Sequence, residues 1–115
     1  MRTTLDIVMD NGDRTQFRRD AWPVLFSLDW KGKPGGDWGT EILQLRGHAD
    51  GRFMVCGLID RYDNLETLNA EILRADARHF DLRSATRRVA GRTGLSERQA
   101  DVFVMSDAMK DRFKE

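Results

Sequence analysis

The chain has 115 residues and a mass of 13.2 kDa, which predicts a single domain, because two separate cores of half this size would be marginal. Apolar residues make up 40% and charged residues 33%, a balance typical of a globular protein. The 19 Lys and Arg residues equal the 19 Asp and Glu residues, which excludes both an overall basic coat and an acidic disordered chain.

The cysteine content and the hydropathy pattern bear on the compartment. Cys56 is the one cysteine, which excludes an intramolecular disulfide and a paired-cysteine metal site. The first residues lack the apolar segment of a signal peptide, and no apolar run reaches membrane-spanning length. We therefore expect a cytoplasmic protein without membrane contact and without a cofactor.

The first predicted element is a hairpin. Apolar residues alternate with polar ones over residues 5–9, and a turn sequence rich in Asp, Asn and Gly follows. A two-residue turn would pair Ile7 with Gln16, whereas a three-residue loop with Gly12 left-handed pairs Ile7 with Thr15. The second register keeps the apolar residues on one face, so the sequence favours the bulged hairpin.

Three more strands are predicted before the helices. Residues 22–30 have strand composition, and Pro23 confines the start of this strand to an edge or entry position. Residues 31–39 contain four glycines and one proline, which excludes regular structure there. A second hairpin follows, with strands over 41–46 and 52–60, and its register is left open.

Three helices are then predicted by capping patterns and apolar spacing. Residues 63–66 have a capping pattern that opens the first helix. The second runs from about Leu82 to Arg92 and stops near Gly94, and residues 96–99 form a capping box that opens a last helix toward Phe113. The apolar face of the first helix consists of Leu65, Leu68, Ile72 and Ala75.

The predicted fold is therefore α+β: an antiparallel β-meander of about five strands followed by three helices packed on one face. The single domain covers residues 1–115. Its sheet part covers residues 1–62 and its helical part residues 63–115.

The end of the chain resembles the helix-turn-helix pattern over residues 86–103. Ala90 lies four residues before Gly94, which would make the turn, and Leu95 could fill the helix crossing. The segment departs from the pattern at Thr93 and Ala100, where larger apolar residues are usual. The resemblance implies DNA binding by the helices around 84–113, and the alternative is an ordinary helical hairpin.

Charge asymmetry accompanies this pattern. Residues 83–115 contain eight Lys or Arg against five Asp or Glu, whereas the first 82 residues contain eleven against fourteen. The excess could direct a phosphate backbone onto the helices. The candidate nucleic-acid contacts are Arg87, Arg88, Arg92 and Arg98.

Two further surfaces are candidates for protein contacts. The glycine-rich loop presents aromatic and charged side chains to a partner unless its tryptophans fold back onto the sheet. Its candidate contacts are Trp30, Lys31, Lys33, Asp37 and Trp38. The last helix is apolar around more than half of its circumference, which predicts a homodimer or docking face formed by Met105, Met109 and Phe113.

The sequence predicts no catalytic or metal-binding residue. His79 is expected at the end of the first helix, at the edge of the core, and Cys56 as a small buried residue. We therefore expect a non-enzymatic macromolecular binding module, a small accessory regulator or inhibitor that acts on a protein partner. The alternative is a DNA-binding transcriptional regulator.

Overall fold

The computed structural model describes residues 3–30, 42–60 and 67–114. The helices follow the strands, so the α+β class predicted from the sequence is confirmed. The elements are β1 Thr4–Val8, β2 Arg14–Arg18, a 3₁₀ turn Arg19–Ala21, β3 Val24–Asp29, β4 Ile42–Gly47, β5 Phe53–Asp60, β6 Thr67–Leu73, α1 His79–Arg92, α2 Glu97–Val104 and α3 Asp107–Arg112.

The described strands form one six-stranded sheet in the order β2-β1-β6-β5-β4-β3. All neighbours are antiparallel except β1 and β6, which are parallel. The sheet is therefore mixed and has six strands, which corrects the prediction of a five-stranded antiparallel meander. The second hairpin is confirmed as β4 and β5.

The β1–β2 hairpin confirms the predicted register. Ile7 pairs with Thr15 and Leu5 with Phe17. Gly12 has a φ of 88°, a backbone conformation that glycine adopts at no steric cost. The local turn chemistry therefore determines which side chains of this hairpin face the core.

The predicted first helix is wrong, because residues 67–73 form the central strand β6. Both faces of this strand are buried: Leu68 and Ala70 lie on one side, and Asn69 and Glu71 on the other. An apolar spacing of four residues fits a strand as well as a helix, since four is an even number. The helical part thus begins at His79 and not at residue 63; the predicted cap at 63–66 lies outside the described residues.

The sheet must curl to accommodate its β2–β3 connection. β2 and β3 are the outermost strands, and only residues 19–23 join them. These six residue steps span at most about 22 Å, whereas the edges of a flat six-stranded sheet lie about 24 Å apart. Trp22 packs in the connection, with its ring 5.7 Å from that of Phe17 in β2 and 4.8 Å from that of His48 after β4.

The curled sheet has two buried faces. Residues of all three helices pack on one face, around Leu43, Leu45 and Val55. The second cluster contains no helical residue and lies on the other face of the sheet. It comprises Leu5, Ile7, Trp22, Met54, Cys56, Leu68 and Ala70.

The predicted last helix is divided into α2 and α3. The capping box that opens α2 is confirmed, since the side chains of Ser96 and Gln99 each accept from the other residue's backbone N–H at 3.1 and 2.8 Å. The helix ends at Val104, where the Ser106 hydroxyl donates to the Phe103 carbonyl at 2.8 Å. The backbone of Ser106 is extended, which interrupts the helix, and α3 begins at the next residue.

Gly57 of β5 allows α1 to lie close to the sheet. A Cβ atom there would come within 2.9 Å of Thr93 Cγ2 and 3.0 Å of Val89 Cγ1. We expect Gly57→Ala to lower the free energy of unfolding by about 1–3 kcal/mol, because the helix must move away from the strand. Urea-induced unfolding measures this change, and an unchanged midpoint would show that the helix adjusts without cost.

Candidate functional site

Of the five residues predicted to form the partner-binding loop, the structure describes Trp30. Trp30 is half-buried and packs against the helix-facing core, as in the alternative in which the tryptophans fold back onto the sheet. Lys31, Lys33, Asp37 and Trp38 lie outside the described residues. The contact role of this loop stays a prediction.

Arg87, a predicted nucleic-acid contact, joins α1 to α2. Its Nε and Nη2 atoms donate to the Asp101 carboxylate at 3.0–3.1 Å, and its Nη1 atom lies 2.9 Å from Glu97 Oε1. Two carboxylates therefore surround this guanidinium, which lowers its attraction for a phosphate.

Arg88 and Arg92 bind a buried carboxylate. Glu71 on β6 has only 8% of its side chain exposed, and its oxygens accept from Arg88 at 2.7 and 2.8 Å and from Arg92 at 3.0 Å. The Nε atom of Arg92 also donates to Asn69 Oδ1 at 2.7 Å. Burial raises the pKa of Glu71, but the hydrogen bonds from both arginines outweigh it and hold the pKa below its usual value.

Three of the four predicted nucleic-acid contacts thus hold the helices in place. Arg98 is exposed and has no ion-pair partner among residues 3–30, 42–60 and 67–114. The electrostatic basis for DNA binding is smaller than the arginine count alone implies.

The predicted dimer face is corrected at two of its three residues. On one continuous helix, Met105, Met109 and Phe113 would form a single stripe. The break at Ser106 separates them: Met109 and Phe113 are 0% and 2% exposed in the core, whereas Met105 is 55% exposed.

Met105 lines a groove between α1 and α2. Phe80, in the first turn of α1, forms the opposite side and is 68% exposed. Val102, three residues before Met105 on α2, is 50% exposed. The groove encloses about 470 Å³, and its lining residues are His79, Phe80, Arg83, Asp101, Val104 and Met105.

Hydrogen bonds hold the two sides of this groove together. His79 Nε2 lies 3.0 Å from the Val104 carbonyl oxygen, which ties the first turn of α1 to the last turn of α2. The Arg87–Asp101 pair joins the same helices further along. The groove is therefore formed by the fold and needs no rearrangement to exist.

Sequence reasoning missed Phe80 because it placed the start of the helix at Leu82. His79 begins α1 instead of ending a helix, which corrects its predicted place. The signal for this start was present: the Arg78 N–H donates to the Asp81 carboxylate at 2.8 Å, which is the spacing of an N-terminal capping pair.

Titratable and metal-binding groups suggest no further site in the described residues. Cys56 is buried, as predicted, and burial raises the pKa of its thiol to about 12 despite the adjacent Arg46. The described ranges contain no cluster of three or more His, Cys, Asp or Glu residues that could hold a metal ion. A thiol with this pKa is protonated at neutral pH and is a poor nucleophile.

Comparison with known proteins finds no matching family model, no matching curated protein and no matching solved structure. Among the described residues, each helix is too short or too polar to cross a membrane.

Proposed function

We propose that this chain is a non-enzymatic protein-binding module, a small accessory regulator or inhibitor that docks on its partner through the α1–α2 groove. One observation supports the proposal. Four large apolar residues of the described part are exposed; Phe80 on α1 and Met105, directly after α2, line the groove, and Val102 lies on α2.

Side chains of this kind are typical of the centre of a protein interface. Aromatic residues and methionine are enriched there, while scattered single apolar residues are normal on any surface. Phe80 and Met105 line the same concave surface, so a partner can bury both at once. The fourth exposed apolar residue, Val24, lies on the edge strand β3.

DNA binding remains the second candidate, and its support is weaker. The exposed residues of α2 are Glu97, Arg98 and Val102, and Met105 directly after the helix is exposed as well. A recognition helix is expected to present cations and hydrogen-bond donors to the DNA, so this side chain set favours a protein surface.

Affinity capture from lysate with the full chain tests the proposal. The wild type is compared with the Phe80→Asp/Met105→Glu double variant and with Val24→Asp as the matched control, each with and without nuclease. We expect a protein partner that survives nuclease, binds wild type and Val24→Asp, and is lost with the double variant. Equal capture by all three chains would place docking elsewhere, and complete loss after nuclease would favour the DNA-binding alternative.

A further inference from the structure

We propose that the occupant of the groove is an amphipathic α-helix of another protein that carries an acidic side chain opposite Arg83. This inference rests on the proposed docking function and specifies the partner's chemistry. Two properties of the groove support it: its walls are helices, and one of its charged residues, Arg83, has no ion pair in the described part of the chain.

The walls of the groove favour a helical ligand over an extended one. Both walls are α-helices, and neither presents the row of unpaired backbone donors and acceptors that the edge of a sheet offers. An extended peptide would find no ladder of backbone donors and acceptors there and would bury its own backbone groups unpaired. A helix satisfies its own backbone and needs only side-chain contacts, as in other helix-in-groove complexes.

The charges in the groove favour an acidic ligand. Asp101 is neutralised by Arg87, which donates to it through two nitrogen atoms. Arg83 lines the same groove, is exposed, and has no ion pair in the part of the chain that the structure describes. A carboxylate of the partner would pair with Arg83 next to the apolar contact at Phe80, one turn earlier on α1.

The apolar anchors complete the pattern. Phe80 and Met105 flank the groove, so two large apolar side chains of the ligand, three to four or seven residues apart, would pack between them. The expected ligand therefore has one apolar stripe with Asp or Glu at its border.

Peptide selection tests this inference. The probe is a phage-displayed library of helical peptides of about 18 residues, with the positions of one face randomised. It is selected on the immobilised full chain and counter-selected on the Phe80→Asp/Met105→Glu double variant. We expect enriched peptides with an apolar stripe bordered by Asp or Glu.

A charge exchange then identifies the contact. Two peptides are compared: the best selected peptide and a version in which its acidic residue is replaced by lysine. Their binding to wild type, Arg83→Glu and Arg14→Glu is measured by fluorescence anisotropy. Arg14→Glu makes the matched charge change on β2. We expect Arg83→Glu to weaken the acidic peptide at least about tenfold and to strengthen the lysine peptide, while Arg14→Glu changes neither. Equal weakening of both peptides by Arg83→Glu would overturn the acidic contact.

The remaining outcomes separate this inference from the docking function. Proline at the centre of the selected peptide breaks its helix. If the peptide with this proline still binds at the groove, the ligand is not helical, and docking at the groove stays in place. A wild-type dimer in light scattering that Met105→Glu dissociates would make a second copy the occupant and overturn the inference. Failure to enrich any groove-dependent peptide would also overturn it, and the lysate capture would then decide the docking function alone.

Discussion

Replacement of both Arg88 and Arg92 by alanine is expected to lower the free energy of unfolding by about 3–5 kcal/mol at neutral pH. The Glu71 carboxylate lies on β6 beneath α1 with 8% of its side chain exposed, and both guanidinium groups bind it. Without them its charge stays buried and uncompensated, which costs more than the loss of an ordinary hydrogen bond. Urea-induced unfolding followed by circular dichroism measures the change.

The isosteric variant Glu71→Gln is the control for this result. Its expected cost is smaller, about 1–3 kcal/mol, because it leaves no buried charge. The side chain of Arg88 is 55% exposed and can turn to water, and Arg92 keeps its bond to Asn69. A Glu71→Gln variant less stable than the double arginine variant would show that packing of the three side chains outweighs the buried charge.

The pH dependence provides a second readout of the same cluster. The arginines hold the pKa of Glu71 below its ordinary value of 4.5, so its ionised form stabilises the fold above that pH. This stabilisation is lost as the pH falls through the lowered pKa of the folded state. In the double arginine variant the buried carboxyl takes up a proton more readily, so the stability difference from wild type should narrow in acid.

The first hairpin could be predicted from the sequence because its determinants are local. The loop that ends at Gly12 and the alternation of Leu5 and Ile7 decide the register within one segment. The Ser96 capping box is local in the same sense, and it was also predicted correctly.

β6 could not be predicted because its determinants are distant in the sequence. Glu71 resembles a solvated helix residue until Arg88 and Arg92, 17 and 21 positions later, are placed above it. The spacing of Leu68 and Ile72 fits either structure, and the pairing of β6 with β1 joins residues about sixty positions apart. Nothing within one helical window shows such a contact.

Of the two large apolar residues that line the candidate groove, Met105 was predicted from the sequence and Phe80 was not. Met105 was identified as an exposed apolar residue, but the helix was assumed to continue through Ser106. Phe80 was missed because the helix start was placed three residues too late. A serine that can cap a new helix and an acidic residue three positions after Arg78 were the local signals for both corrections.

Met109→Glu is expected to lower the free energy of unfolding by more than about 4 kcal/mol and to leave little folded protein at 37 °C. The Met109 side chain is 0% exposed in the helix-facing core, so the new carboxylate would be buried without a partner or would stay protonated at a large cost. The melting temperature by circular dichroism and the apparent mass by light scattering are measured together.

Met105→Glu is the matched control, since it makes the same chemical change four residues earlier on a side chain that is 55% exposed. Its melting temperature should stay close to that of wild type, because its carboxylate remains in water. The two variants together distinguish a buried core residue from an exposed surface residue. One continuous helix would have placed both methionines on the same surface. A Met109→Glu variant that melts like wild type while its apparent mass halves would place Met109 on a subunit interface, and the break at Ser106 would then not bury it.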